Sequence, residues 1–199
     1  MLPALAPGTR RFALPPLVAA LPLAVVSPPL GALALALGGF VLYFFRDPER
    51  SPPPNGVVSP ADGRVSVVRE EEGRIRVGVF MNVTDVHVLR APLAGHVESA
   101  THRPGAHRPA FTKDSERNER VDVALDSHDV SMIAGWFARR IYPYVTASDD
   151  IERGDRIGHI AFGSRADVLL PPSYDREDVL VETGERVRAG ETVVALESA

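Results

Sequence analysis

The chain has 199 residues, 45% of them hydrophobic, a formal net charge of −4 and no cysteine. That length suits one domain with an appendage, and the mild acidity excludes nucleic-acid binding driven by bulk positive charge. The missing thiols exclude disulfides, cysteine nucleophiles and cysteine-ligated zinc or iron–sulfur centres.

The first element is apolar. Residues 12–45 carry no charge and are flanked by Arg10 and Arg11 on one side and by "RDPER" on the other. The stretch exceeds the roughly 20 residues needed to cross a bilayer. It is interrupted, however, by Pro15, Pro16, Pro22 and "SPP" at 27–29. Each half would reach only about 23 Å as a helix, short of a hydrocarbon core about 30 Å thick. A helical hairpin dipping into the membrane therefore competes with one kinked span, and the arginines at both ends favour the cytoplasmic face. "TRRF" also resembles a twin-arginine leader, but no small-residue cleavage site precedes "FFRDPER". The expectation is a membrane-associating segment, 1–48, at the cell membrane as a peripheral or re-entrant anchor.

Next, "ERSPPPNG" at 49–56 is an extended connector that cannot continue a helix. Beyond it the chain turns to short runs rich in β-branched residues and punctuated by glycine. Strands are predicted near 56–59, 63–70, 74–81, 87–90, 95–100, 120–126, 129–134, 157–162, 167–170 and 191–196. "LAGHV" at 93–97 reads as a turn entering a strand, and one short helix is predicted near Ala138–Tyr142. "IERGDRIGHIAFG" echoes "VETGERVRAGETVV", and "SPADGRV" echoes "APLAGHV". Paired hairpins of this kind suggest a mainly β domain, 49–199, with a compact sandwiched or barrel-like fold of the biotinyl/lipoyl type. The stretch 102–120 is polar and aperiodic, with five basic against three acidic residues. It suits either a solvated loop or a flap over an anionic head group.

The side chains able to do chemistry are few: Asp62, Asp85, His87, His96, His128, His159 and Ser164. The histidines are scattered, without the paired spacing of a metal site, so no metal is expected. "FGS" at 162–164 lacks the pattern of a hydrolase nucleophile elbow. A serine after glycine has another option: its Oγ can attack the carbonyl of Gly163, which the missing Cβ leaves open. The ester formed can eliminate to dehydroalanine and hydrolyse to a pyruvoyl group, a built-in carbonyl cofactor.

Six segments in order, "FFRDPER", "SPADGRV", "VFMNVTDVHVLRAP", "SERNER", "IAGWFARRI" and "GDRIGHIAFGSRADVLLP", resemble phosphatidylserine decarboxylase proenzymes of the short bacterial and archaeal type. The resemblance covers nearly the whole chain. It implies self-cleavage at Gly163-Ser164 into a β chain, 1–163, and an α chain, 164–199, that begins with a pyruvoyl group made from Ser164. It also implies an Asp-His-Ser set for maturation, matched here by Asp62, His87 and Ser164; Arg90 stands where long members have a second histidine. The implied reaction converts phosphatidylserine to phosphatidylethanolamine in phospholipid biosynthesis, with the pyruvoyl as electron sink and His87 as proton donor. Arg117 and Arg120 are the expected contacts to the phosphodiester. The expected partners are membrane phosphatidylserine and the two chains of one proenzyme, with a homo-oligomer left open and no nucleic acid. Two other readings stand beside it. One is a non-enzymatic, membrane-tethered biotinyl/lipoyl-like binding module, which would need a lysine on a tight turn where the chain has only Lys113. The other is a pyruvoyl decarboxylase of a soluble amine or amino acid, against which the apolar segment argues.

Overall fold

The computed structural model describes residues 4–105, 118–135, 140–162 and 164–197. It divides into two compact units, Met1–Glu49 and Arg50–Ala199.

In the first unit, β1 (Ala4–Leu5) leads into α1 (Thr9–Val26), and α2 (Pro28–Phe44) leads into β2 (Arg46–Asp47). Ser27 is extended, and Pro28 and Pro29 occupy the first positions of α2, where a missing N–H costs no intrahelical bond. The break therefore falls at "SPP". A Cβ on Gly31 would lie 2.4 Å from Ala24 Cβ, and one on Gly38 would lie 2.4 Å from Leu17 Cδ2. Moving up one helix while moving down the other is the register of an antiparallel hairpin, and the two glycines let the helices approach. β1 pairs antiparallel with β2 and closes the open end. The outward residues are apolar, Leu14, Val18, Leu21, Val25, Leu33 and Leu37 among them. α1 is long and apolar enough to cross a membrane, and α2 is one residue shorter.

The second unit is built of β3 (Val57–Val58), β4 (Gly63–Glu71), β5 (Arg74–Met81), β6 (Val88–Arg90), β7 (Gly95–Arg103), β8 (Arg120–Leu125) and β9 (Asp129–Ala134). There follow β10 (Arg140–Pro143), β11 (Asp150–Ile151), β12 (Arg156–Ala161), β13 (Ser164–Leu169), β14 (Arg186–Val187) and β15 (Val193–Ala195). A curled eight-stranded sheet runs β11-β7-β8-β9-β13-β5-β4-β14, a second sheet runs β10-β12-β6, and β15 pairs with β3. The core fills the concave side: Val77, Val79 and Met81 of β5 face Val130, Met132 and Ala134 of β9 across Ala166 and Val168 of β13. Strand alternation sends the other residues of β13, Arg165 and Asp167, to the opposite face.

The sequence echoes mark a repeated clamp. Val65 donates to Glu185 O and accepts from Gly184 N; Ala91 does the same with Asp155 and Gly154, and Val97 with Asp149 and Ser148. Ser59 is held in the same way, shifted by one residue, by Thr192 O and Gly190 N. In each clamp the donating residue has positive φ: Gly184, Gly154, Gly190 and, without glycine, Ser148. "SPADGRV" is thus gripped at both ends by the turns at 182–192, and "APLAGHV" at both ends by the turns at 146–155. The two halves are built alike.

Two expectations need correction. The predicted helix at Ala138–Tyr142 overlaps β10, whose Ile141 and Tyr142 pair with Ile160 and His159; a β-branched and an aromatic residue opposite a strand edge outweigh the local helical composition. Residues 136–139 lie outside the described set. The strand predicted at 167–170 begins earlier, at Ser164 itself.

Candidate active site

Ser164 is fully buried at the first position of β13, between Met81 at the end of β5 and Ala134 at the end of β9. Its hydroxyl lies 3.7 Å from Met81 Sδ, inside the core. Just upstream, Phe162 has φ +67°, a left-handed backbone that is a real outlier for a bulky side chain. Such strain persists only where the surroundings over-determine it. Gly163, between the two, lies outside the described residues.

Several sequence motifs meet at this end of the sheet. Asn118, from "SERNER", donates to Ala134 O at 2.8 Å, and Ala134 N donates to Glu119 O. Asp62 and Gly63 open β4 here. Gly63 has φ +146°, and a Cβ on it would stand 2.0 Å from Phe80 O, so the turn fits only glycine against the strand that carries Met81. Beyond Met81 the chain bends through Asn82–Val86 to His87, whose carbonyl accepts from Ile160 N.

His87 is 1% exposed, and its Nδ1 lies 3.0 Å from Asp85 O. A carbonyl can only accept, so Nδ1 is the donor, which leaves Nε2 as the nitrogen that can exchange a proton. The Asp85 carboxylate accepts from Asn82 N at 2.8 Å and from Arg186 at 3.0 Å, fixing the bend from which that carbonyl projects. Asp62 is differently engaged. Both of its oxygens lie 2.9 Å from Arg50, and one also accepts from Ala189 N at 2.8 Å. Arg50 continues to Glu191 at 3.1 Å. Asp85 therefore holds the His87 ring through its backbone carbonyl, while Asp62 ties Arg50 to the turn at 188–191. Arg90 is buried with its guanidinium on Gly154 O.

The remaining histidines divide by environment. His159 stacks on Tyr142 at 4.5 Å, and its Nδ1 lies 2.7 Å from Tyr144 Oη; burial pushes its pKa down to about 4. His128 sits in the β8–β9 turn, at the far end of the sheet from Ser164, and burial lowers it likewise to about 4. His96 is exposed, and its bond to Asp150 raises its pKa. Arg117 lies outside the described residues. Arg120 pairs with Ile133, which also pairs with Arg165, so it projects on the face opposite the Ser164 hydroxyl.

Sequence reasoning missed Asn118, the Arg50–Asp62 pair and the strained Phe162. It also missed a charge chain on the outer face, where Arg165 meets Asp167 at 2.7 Å and Asp167 also faces Arg76 at 3.5 Å. The available signal was Arg165 and Asp167 two apart in a strand, on one face.

Comparison with known proteins places these residues in company. The family described as phosphatidylserine decarboxylase matches residues 37–195. A putative archaetidylserine decarboxylase proenzyme of Halobacterium salinarum is 60% identical over 95% of this chain and 97% of its own. A phosphatidylserine decarboxylase proenzyme of Thermobifida fusca is 46% identical over 96% of this chain and 92% of its own, and one of Streptomyces avermitilis is 50% identical over 80% and 75%.

Proposed function

From the premise that the chain belongs to the phosphatidylserine decarboxylase family and is a decarboxylase, we propose that it matures by cutting itself at Gly163-Ser164 and then decarboxylates a serine phospholipid. The observation that carries this reading is the Ser164 hydroxyl, buried at a strand start two residues after the strained Phe162. Ser164 is shielded from solvent between β5 and β9. The non-enzymatic lipoyl-like module finds no support beside this family membership.

In the proposed maturation, the Ser164 Oγ attacks the Gly163 carbonyl while His87 Nε2 takes the hydroxyl proton, and the peptide bond becomes an ester. Loss of the Ser164 α-proton then breaks the Cβ–Oγ bond. It releases the Gly163 carboxylate and leaves dehydroalanine, which water hydrolyses to the pyruvoyl group and ammonia. The residues fit that group: β13 holds position 164 between β5 and β9, beside Met81 and Ala134. When formed, the pyruvoyl supplies a carbonyl system that accepts the electrons released as carbon dioxide leaves. His87 then holds the proton delivered to the substrate's α-carbon, with the Asp85 carbonyl keeping the ring in one tautomer. Asp62 acts at a distance, as the charged anchor joining Arg50 and the Ala189 turn beneath Gly63.

Phosphatidylserine is the substrate this reading assigns, with phosphatidylethanolamine as product. The 60% identical relative's name favours a second reading, in which the same serine head group sits on an archaeal ether core. The exposed leucines and valines of the hairpin suit attachment at the membrane surface where either lipid resides, and the basic residues flanking the hairpin favour the cytoplasmic face. The test is the intact mass of the purified protein, followed by carbon dioxide release from both lipids. Two chains, 1–163 and a pyruvoyl-blocked 164–199, are expected, whereas Ser164→Ala should stay whole and inactive. A Ser164→Ala protein that is still cut would refute self-cleavage.

A further inference from the structure

The outer face of the eight-stranded sheet, opposite the Ser164 hydroxyl, holds a cavity of about 390 Å³ lined by Arg69 and Glu71 of β4, Arg76 of β5, Arg120 of β8, and Arg165 and Asp167 of β13. We propose that this basin is a seat for a phosphate group, gripped by the guanidiniums of Arg69, Arg76, Arg120 and Arg165. Four arginines here face three carboxylates, counting the Asp122 that holds Arg120, a surplus of one positive charge that suits an anion. Glu71 is held in its charged form as a brace, because hydrogen bonding from Arg76 drives its pKa down to about 2.

The carboxylates act as braces beneath the cations. Asp167, with its side chain 1% exposed, takes Arg165 Nε and Nη2 at 2.7 Å each and faces Arg76 at 3.5 Å. Glu71 takes Arg76 at 2.7 Å and Arg69 at 2.8 Å, and Asp122 takes Arg120 at 3.2 Å. Planar guanidiniums held in this way are pre-oriented for a tetrahedral oxyanion, and less side-chain entropy is lost on binding. The brace is also built into the backbone. Gly78 lies opposite Asp167, and a Cβ there would stand 2.6 Å from its Oδ1, so the glycine makes the room the carboxylate fills. A network serving stability alone would be expected to fill its face with side chains; this one surrounds open volume.

A phosphate can come from a phospholipid head group or from solution. The experiment uses the full-length Ser164→Ala chain in detergent micelles, which has no turnover, so its outcome is separate from that of the decarboxylase reading. Calorimetric titration with inorganic phosphate, and separately with glycerophosphoserine, should show binding at roughly millimolar affinity or tighter that weakens with added salt. Arg69→Gln with Arg120→Gln, the two most exposed cations of the basin, should weaken binding at least about tenfold at an unchanged melting temperature. Arg120→Glu alone should do the same. Tighter binding of glycerophosphoserine than of phosphate would identify the ligand as a head group; equal or weaker binding would identify free phosphate. No binding of either, or binding that both variants leave unaltered, overturns the proposal.

Discussion

Phe162 and His87 carry the argument at the scale of single residues. A bulky side chain at φ +67° costs on the order of 1–3 kcal/mol, energy released when the neighbouring peptide opens. Phe162→Gly removes that penalty, so the variant should cut itself more slowly while melting at the same or a higher temperature, as followed by gel and by thermal unfolding. His87→Gln keeps a bond to Asp85 O but has no basic nitrogen. Self-cleavage should fall by about a hundredfold or more, the usual contribution of a general base, with little change in melting temperature. Normal cleavage in His87→Gln would remove His87 from maturation and leave it, at most, a proton donor. Gly63→Ala tests the frame in which both sit. Its Cβ cannot coexist with Phe80 O at 2.0 Å, so the uncut chain should accumulate and unfold at markedly lower urea.

The strands explain what could be read in advance. β5 and β9 were legible to the residue, since each alternates apolar and polar positions between turn signals. β11 and β14, two residues each, carry too little pattern to read. β10 was misread because its identity comes from pairing with β12, not from its own composition. The candidate residues that residue type alone could nominate were Ser164, His87 and Asp62. The site was illegible where it rests on contacts far apart in sequence, such as Ala189 N on Asp62 or Asn118 on Ala134 O. Arg120 shows the limit most clearly: only sheet register reveals which face it takes. At this scale the helical hairpin should be separable, because the second unit keeps its whole core without it. A chain lacking residues 1–45 is expected to self-cleave normally, yet to lose far more turnover on phosphatidylserine vesicles than on a short-chain soluble analogue. An unchanged ratio of the two rates would make the hairpin a passive tether.

Across the whole molecule, the proposed cut would leave two chains that share one sheet. β13, from the small chain, lies between β5 and β9 of the large one, and β14 and β15 pair with β4 and β3. The chains should therefore stay together through gel filtration and part only in denaturant. Acid should weaken the fold as His128 and His159 take up protons. His128 and His159 have folded pKa values near 4 against about 6.5 unfolded, so the unfolded state binds more protons between those limits. Their contribution is whole above pH 6.5 and is lost as pH falls toward 4, on the order of 3 kcal/mol for each. Urea unfolding of the uncut Ser164→Ala chain at pH 7 and pH 5 should show this loss, and a His159→Phe substitution should flatten the slope.

The position of β13 has a consequence for folding kinetics. Its two neighbours leave the ribosome long before it does, and two of the four backbone clamps come from residues 182–192. Until those last residues arrive, the central slot of the sheet stays open, and closing it requires pairings distant in sequence, a slow step for any β topology. Phe162 has its strained geometry in the sheet with that slot filled. On the proposed self-cleavage, scission would serve as a checkpoint on folding. A nascent or misfolded chain holds its serine in ordinary flexible backbone and stays intact, and the appearance of the small fragment in a pulse-labelled culture should lag synthesis by the time the sheet needs to close.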